Sequence, residues 1–463
     1  MGDYNLMIKN FLEICERSYQ GPIVKKAAWD MKAVVKTTSR LVSEYDLSWN
    51  RNDLTPMDDD LCDRMFAAAK ALILETGVYN MSSERVIRFT EEEIQAGLDN
   101  MRQSLVMGEG KDAVTMTPRQ PEDRHRPLIW AGNPGCPTPE ELFLPTVKSW
   151  LQEHVVDLIT CGSLATVDGY PVRSGEPSEI MAVKKELRLL RQAREETGRP
   201  GVGMLAAESG VSEIGDLCVA HPDYLRPCDS HLVALFNELI IDRGNLVRAA
   251  NSVEYGMRNA SLACTMIGGL AGDAPGATMV IMASMMAANL ICLADYHLCH
   301  PIHITQVATT ARSCMWLQSV CCQAFARNAP AIIVCDVYPK SGGLTPELLY
   351  EVAANALAIT VSGGHIEGAG SADGNLPNGT GLEVRMMGEV SRGAARTGLT
   401  RQEASRLINA ILDKYEHVLS RQGGNPGHRF DQCYDLATLK PKPQWQAMFD
   451  SVKADLKNMG VPF

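Results

Sequence analysis

Short apolar runs alternate with amphipathic segments along the chain from about residue 126 to its end. An apolar run between turn residues predicts a buried strand, whereas apolar positions at helical spacing predict a helix. The predicted strands cover residues 126–132, 156–162, 201–207, 246–252, 261–269, 301–305, 331–337 and 363–370. Apolar strands that alternate with helices form a parallel sheet covered by helices, so the pattern predicts an α/β protein with a (β/α)8 TIM barrel. The fourth connection, residues 252–260, is short for a helix, which keeps a doubly wound sheet as the alternative.

The beginning of the chain has a different pattern. Periodic apolar positions predict helices over Asp58–Gly77 and Glu91–Gly108, each with acidic residues at its start and a glycine at its end. We therefore predict a helical N-terminal extension over residues 1–115. The TIM-barrel catalytic domain, with a C-terminal helical segment, then covers residues 116–463.

Charge and hydropathy exclude several classes of protein. The net charge is −11 and Lys and Arg form no cluster, which argues against a nucleic-acid partner. No apolar run reaches the ~18–20 residues of a membrane span. The closest, Thr278–Ala294, contains Ser284 and Asn289, so we interpret it as a buried helix. The start has no basic stretch followed by an apolar core, and we expect a cytoplasmic protein with no membrane association.

The 14 cysteines are scattered through apolar segments and include no CxxC pair. In a long chain this distribution indicates reduced, buried thiols and argues against a structural zinc site.

Active sites of such barrels lie at the carboxyl ends of the strands. Polar residues stand out near the predicted ends, and two histidines, His303 and His365, each interrupt an apolar strand. Glu367 follows His365 by two residues and shares its face of the strand. Glu238, in FNELIID, lies within an apolar pattern that we interpret as helical, so its carboxylate needs a partner or a polar cavity. We predict Glu238, His303 and His365 as catalytic residues that converge, together with Glu367, on one cavity at the barrel mouth.

Eight segments then occur in an order that matches a known family. They are ERVIRFTEEEI, GRPGVGM, CDSHLVALFNELIID, GGLAGD, YHLCHPIHI, EVRMMGEVSR, DQCYDLATLKP and the final LKNMGVPF. On these segments the chain resembles the monomethylamine methyltransferases of methylotrophic methanogens, which pass a methyl group to the cobalt of a separate corrinoid protein. The resemblance implies a homo-oligomeric barrel enzyme and a cognate corrinoid protein as partner, which carries the corrinoid. We predict no tightly bound cofactor and assign no metal ligands on this basis.

The resemblance also assigns a meaning to position 205. In the family, the residue after GRPG-x-G-x is pyrrolysine, whose imine carbon is thought to capture the amine, and here that residue is Leu205. Glu238 keeps the acidic position of the NEL motif. The family's glutamate after the Gly-Gly-x-Ala-Gly-Gly turn has only Asp273 as an offset candidate, and the polar partner near the seventh strand has no match in VCDVYPKSGG.

Without the imine, the enzyme must align a methyl group for attack by Co(I) and provide a good leaving group. A quaternary ammonium meets this need because its leaving group is a neutral amine, and acids or aromatic rings stabilise such a cation. We therefore expect a small methylated substrate, a quaternary amine, within a wall that includes Trp130. The predicted substrate-binding residues are Leu205, Glu208, Tyr255, Arg312, Asp336, Tyr338 and Glu367. Arg312 would hold a substrate carboxylate.

Two alternatives remain open at this point. One is zinc-dependent methyl transfer from an alcohol or thioether, with His303, His365, Glu367 and Cys335 as ligands. The other is a non-catalytic barrel that only docks a corrinoid protein.

Overall fold

Eight parallel strands close into a barrel in the computed structural model, which describes residues 2–370 and 379–463. The strands, in chain order, are β1 Ile129–Ala131, β2 Leu158–Thr160, β3 Met204–Leu205, β4 Ser230–Leu235, β5 Arg258–Ile267, β6 Tyr296–His303, β7 Ile333–Val337 and β8 His365–Gly368. Each strand pairs with its sequence neighbours, and β8 pairs with β1 to close the ring. The predicted TIM barrel is therefore confirmed.

The fourth strand lies in a different place from the predicted one. Residues 246–252 belong to the helix Arg243–Glu254, and β4 is formed by Ser230–Leu235, within a segment predicted to be helical. Val233 and Leu235 face the outer helices, while Leu232 packs against the barrel interior. A strand buried on both faces has no clear alternation, and so its pattern resembles that of a buried helix.

Helices follow the strands and cover the outside of the barrel. In chain order after β1 to β8 they are Glu140–Leu151, Pro177–Glu196, Glu213–Leu217, Arg243–Glu254, Ala274–Ile291, Arg312–Asn328, Pro346–Ser362 and Gly381–Thr397. The C-terminal segment adds Arg401–Leu419, Phe430–Cys433 and Pro443–Asn458. By length and composition the Met-rich helix Ala274–Ile291 could cross a membrane, but 89% of it is buried inside this fold. It is the buried helix that its sequence indicates.

The N-terminal extension is mostly helical and packs on the same hydrophobic core as the barrel. Its helices are Gly2–Gln20, Lys26–Ala28, the π-helix Trp29–Val35, Lys36–Glu44, Asp59–Thr76 and Glu91–Asp99. Between the last two, Val78–Asn80 pairs with Arg85–Ile87 on one side and with Ile240–Ile241, just beyond β4, on the other. The extension therefore holds the loop that leaves the carboxyl end of β4.

Apolar side chains fill the amino-terminal part of the barrel interior. A short hairpin, Leu105–Met107 with Val114–Met116, contributes side chains to this cluster. The barrel residues of the cluster include Leu128, Trp130, Leu158, Leu205, Ala260, Tyr296, Leu298, Ile332 and Val334. Polar groups begin one layer further towards the carboxyl ends of the strands, which confines the chemistry to that mouth.

Candidate active site

Three carboxylic acids, Glu208, Asp336 and Glu367, converge at the carboxyl-terminal mouth of the barrel. Asp336 and Glu367 are register partners on β7 and β8, and both side chains are almost completely buried. Glu208 lies three residues beyond β3, and its pKa responds to both of the other acids. The sequence predicted all three as substrate-binding residues, and the structure brings them together.

These acids hold their protons more tightly than free carboxyl groups do. Burial raises the pKa of Asp336 to about 7. Burial, followed by repulsion from Asp336, raises the pKa of Glu367 well above its ordinary value. Burial, followed by repulsion from Glu367, has the same effect on the pKa of Glu208. Like charges this close cannot all ionise at neutral pH, so the cluster retains protons.

The cluster has unused hydrogen-bonding capacity. Both carboxyl oxygens of Glu367 and Oδ1 of Asp336 lack a hydrogen bond of standard geometry among the described residues, although the two acids interact with each other and Glu367 also interacts with Thr160. Buried polar atoms without partners are costly in a folded protein. A small ligand with N–H groups would satisfy them.

His300 belongs to the site, although the sequence reasoning missed it. Its Nδ1 is hydrogen-bonded to Oδ2 of Asp336, and burial lowers the pKa of its imidazole to about 4. The ring also packs edge-to-face on Tyr338, with centroids 5.7 Å apart. The available signal was the alternation of Tyr296, Leu298 and His300, which places all three on the inner face of β6.

Tyr338 lies at the mouth as predicted. Its phenol oxygen is 3.0 Å from the Sγ of Cys136, and burial raises the pKa of the phenol. Cys264 lies near the same acids, since burial, followed by Asp336 and Glu238, raises the pKa of its thiol. The side chains beside the acids are therefore neutral.

Glu238 lies in the loop after β4 and not in the predicted helix. Its backbone is left-handed, with φ of 61°, and so is that of Leu239, also with φ of 61°. Burial raises the pKa of its carboxyl group, which accepts a hydrogen bond from the backbone N–H of Met266. The other carboxyl oxygen, Oε1, is buried without a partner among the described atoms. Glu238 thus presents a second acidic group from the β4 side of the mouth.

Leu205 faces the barrel interior and is 1% exposed. It pairs with Thr160 on β2 and with Ser230 on β4. The side chain belongs to the apolar cluster that forms the floor beneath the acids. Its predicted contact with a substrate stays a prediction.

His365 does not join the site, contrary to the sequence-based prediction. It begins β8 at the amino-terminal end of the barrel, where Nδ1 accepts the backbone N–H of Leu128 at 3.0 Å. Nε2 donates to the carbonyl of Thr117 at 2.9 Å. Burial lowers the pKa of His365 to about 3, so the ring is neutral. The predicted convergence of His365 with His303 and Glu238 is therefore wrong, because a strand has two ends and this histidine lies at the other one.

His303 lies at the carboxyl end of β6, on the rim. Its Nδ1 accepts backbone N–H groups of Thr305 and Gln306, each at 3.3 Å. Burial lowers its pKa, while the nearby Asp273 favours the charged form. Asp273 itself accepts the indole N–H of Trp49 at 2.9 Å and caps a helix, which gives it a structural role.

Two predicted substrate-binding residues lie outside the mouth. Tyr255 ends the helix that precedes β5, at the amino-terminal end of the barrel, and is 47% exposed. Arg312 forms a two-point ion pair with Glu416, at 2.7 and 2.8 Å, and also donates to Asn409. Because its hydrogen-bonding capacity is used by the C-terminal helix, Arg312 is not available for a substrate carboxylate.

The ligands proposed for zinc do not converge. Cys335 faces the outer helices, where its Sγ lies 3.6 Å from the Sγ of Cys322, whereas Glu367 faces the interior and His365 lies at the opposite end. Within residues 2–370 and 379–463, no group of three or more His, Cys, Asp or Glu side chains has a geometry that could hold a metal ion.

Comparison with known proteins gives one consistent result. A sequence profile described as monomethylamine methyltransferase MtmB matches residues 10–461. The monomethylamine methyltransferase MtmB of Methanosarcina mazei is 30% identical over 450 residues, which are 97% of each chain. MtmB1 of Methanosarcina acetivorans is 29% identical over 452 residues, again 97% of each chain. The crystal structure of Methanosarcina barkeri MtmB aligns with a TM-score of 0.94 at 28% identity and covers 98% of both chains. A hydroxylamine complex of MtmB aligns equally well, with a TM-score of 0.94.

Proposed function

Because this chain belongs to the monomethylamine methyltransferase family, we propose that it moves a methyl group from a small methylamine to a reduced corrinoid on a partner protein. The observation that carries the proposal is the acid cluster of Glu208, Asp336 and Glu367 at the mouth of the barrel. Acidic groups suit an amine that binds as a cation.

The substrate that we propose differs from the quaternary ammonium expected from the sequence. The curated relatives cited above are named for monomethylamine, an amine with N–H groups, and this does not support a quaternary substrate. The expected aromatic wall is also incomplete, because Trp130 is packed in the barrel floor and Tyr255 lies at the other end. Acids with unused acceptor oxygens fit the N–H groups of a methylammonium ion better than they fit a fully methylated nitrogen.

The acids would act on the leaving group. Negative charge within hydrogen-bonding distance favours the protonated form of an amine. A methylammonium ion releases ammonia when its methyl group is attacked, whereas neutral methylamine would have to release an amide anion. Asp336 and Glu367 would therefore keep the proton on the nitrogen, and the hydrogen bond from His300 would hold Asp336 in place.

The corrinoid supplies the nucleophile, cobalt in its +1 state, and it is a second substrate that reaches the mouth from solvent. Above the apolar floor that includes Leu205, the acids would hold the ammonium group, and this would orient the methyl group towards the opening. We also propose homo-oligomeric assembly and cytoplasmic location, which the resemblance and the sequence imply.

The test is a methyl-transfer assay with free cobalamin reduced to Co(I) and methylamine, dimethylamine, trimethylamine or tetramethylammonium as donor. We expect methylcobalamin from a donor with N–H groups, and loss of at least about tenfold in kcat/KM for Glu367→Gln. Asp157→Asn is the matched control, since Asp157 is also a buried acid but accepts the N–H of Ile129 at the amino-terminal end. Transfer from tetramethylammonium alone, or full activity of both Glu208→Gln and Glu367→Gln, would refute the proposal.

A further inference from the structure

Glu186 lies in the middle of the helix Pro177–Glu196 and is completely buried. Its Oε1 accepts the backbone N–H of Glu208 at 3.0 Å and the thiol of Cys161 at 3.0 Å. Its Oε2 accepts the backbone N–H of Ser209 at 2.7 Å. The Ser209 hydroxyl also interacts with this carboxylate, so its partners are N–H, O–H and S–H donors from beyond the carboxyl ends of β2 and β3.

These contacts connect the helix layer to the acid cluster. Cys161 directly follows Thr160, the last residue of β2, and Glu208 follows β3 by three residues. The backbone N–H of Ala206 still donates to the carbonyl of Ser230 at 3.2 Å, and beyond this bond Glu186 holds the N–H groups of Glu208 and Ser209. The hydroxyl of Ser209 accepts the N–H of Leu164 at 2.8 Å.

We infer that Glu186 is a positioning residue that fixes the Glu208 carboxyl group within the acid cluster. The inference rests on the proposed function, because it gives Glu186 a role only if Glu208 contacts the amine.

The cost of burying Glu186 supports a role of this kind. A buried carboxyl group held by neutral donors is expensive, and its pKa is raised by burial. An apolar side chain in the same helix would be less costly but would leave the N–H groups of Glu208 and Ser209 without acceptors. A glutamine has one acceptor oxygen and one amide donor, so it can satisfy only part of the set.

A second glutamate on the same helix face shows that the arrangement is repeated. Glu179, seven residues earlier, accepts the backbone N–H groups of Val211 and Ser212, each at 2.7 Å. Residues seven apart lie on the same side of a helix. The helix Pro177–Glu196 therefore holds the loop after β3 at two points. Glu186 binds the part that includes Glu208, and Glu179 binds the part that includes Val211 and Ser212.

The test compares Glu186→Gln, Glu208→Gln and the double variant, with Asp157→Asn as the control for a buried acid remote from the mouth. We expect Glu186→Gln to raise the KM for methylamine and to lower kcat/KM about tenfold or more in the assay with Co(I) cobalamin. In the Glu208→Gln background, the same change should have less than about a twofold effect, because its route to the substrate is already lost. Asp157→Asn should lower the melting temperature and leave kcat/KM within about twofold of the wild type.

Amide hydrogen exchange provides a readout that needs no substrate. Exchange of the peptide spanning residues 206–211 should become faster in Glu186→Gln and stay unchanged in Asp157→Asn. If Glu186→Gln does not fold, Glu186→Asp serves in its place, because the shorter side chain cannot reach both N–H groups.

Unchanged exchange over residues 206–211, or an equal loss of kcat/KM in the wild-type and Glu208→Gln backgrounds, would overturn the inference and leave Glu186 a purely structural residue. A different result would be wild-type activity of Glu208→Gln together with faster exchange in Glu186→Gln. It would confirm that Glu186 holds the backbone at Glu208 and Ser209. It would also overturn the role of Glu208 in the proposed function, and with it the positioning role of Glu186.

Discussion

Asp336 and Glu367 lie directly opposite each other on neighbouring parallel strands, and both side chains point into the barrel. Each is at least 97% buried, with 3% and 1% of its surface exposed. Two carboxyl groups in this arrangement cannot both be ionised near neutral pH, so the pair retains a proton. This relationship determines how the stability and the activity of the protein should depend on pH.

Because this pair keeps a proton in the folded protein, the free energy of unfolding should decrease as the pH rises. Burial raises the pKa of Asp336 from 3.8 to about 7, so between these values the unfolded chain releases a proton that the folded chain keeps. Folding then weakens as pH rises, by on the order of a few kcal/mol at pH 7 and above. Asp336→Asn removes this loss, and thermal melting should show it to be more stable than the wild type at pH 8, with no such gain at pH 4.

Glu179→Gln is the control variant, because the pKa of Glu179 is lowered whereas that of Asp336 is raised. Burial alone would raise the pKa of Glu179, but hydrogen bonds from Ser212, Gly175 and Val211 outweigh burial and lower it. A lowered pKa contributes stability above the unfolded value that is lost as pH falls. Glu179→Gln should thus be less stable than the wild type at pH 7 and approach it at low pH. If both variants changed stability in the same direction at every pH, the assignment of Asp336 would be wrong.

Substitution of His300 should lower the activity, whereas substitution of His365 should lower the stability. His365→Ala removes the acceptor of the buried N–H of Leu128 and should cost about 1–3 kcal/mol of stability. Its kcat/KM should stay within about twofold of the wild type. His300→Ala removes the partner of Asp336 and should lower kcat/KM about tenfold or more. Melting curves and methyl transfer measured on the same preparations check this, and a larger kinetic loss in His365→Ala than in His300→Ala would contradict it.

Trp29 of the N-terminal extension should affect the mouth through Glu238. Its indole N–H donates to the carbonyl oxygen of Glu238 at 3.2 Å, and its ring stacks on Tyr79 at 5.4 Å. Trp29→Phe keeps a ring for stacking but loses the donor, which should cost about 1 kcal/mol of stability and raise the KM for the amine. Tyr350→Phe is a suitable comparison, since it loses one hydrogen bond to Asp455, at 2.7 Å, between outer helices. An equal change of KM in both variants would show that Trp29 has no specific effect on Glu238.

Leu205 should behave as part of a packed floor. Leu205→Ala leaves a cavity beneath the acids and should destabilise the protein by about 2–5 kcal/mol, whereas Leu205→Met should cost less than about 1.5 kcal/mol. Denaturant unfolding of the two variants measures the difference. A near-neutral Leu205→Ala would mean that the side chain borders open space and not the apolar cluster.

The alternation of apolar runs and amphipathic segments was enough to predict the barrel. It also identified Glu208, Asp336, Tyr338 and Glu367 as residues near strand ends, and the segments shared with the methyltransferase family pointed to the activity. This information is local, because the side-chain period within an element and the residues that end it are set by neighbours in the chain.

The tertiary structure determined where each strand begins and ends, and which side chains come together at the mouth of the barrel. β4 could not be distinguished from a helix by its pattern, because both of its faces are buried. His365 and His300 both occur in apolar strands, yet one begins β8 beneath the floor and the other lies near the carboxyl end of β6 beside Asp336. Strand register and closure of the barrel decide which inward-facing residues share a layer, and these are contacts between residues distant in the chain.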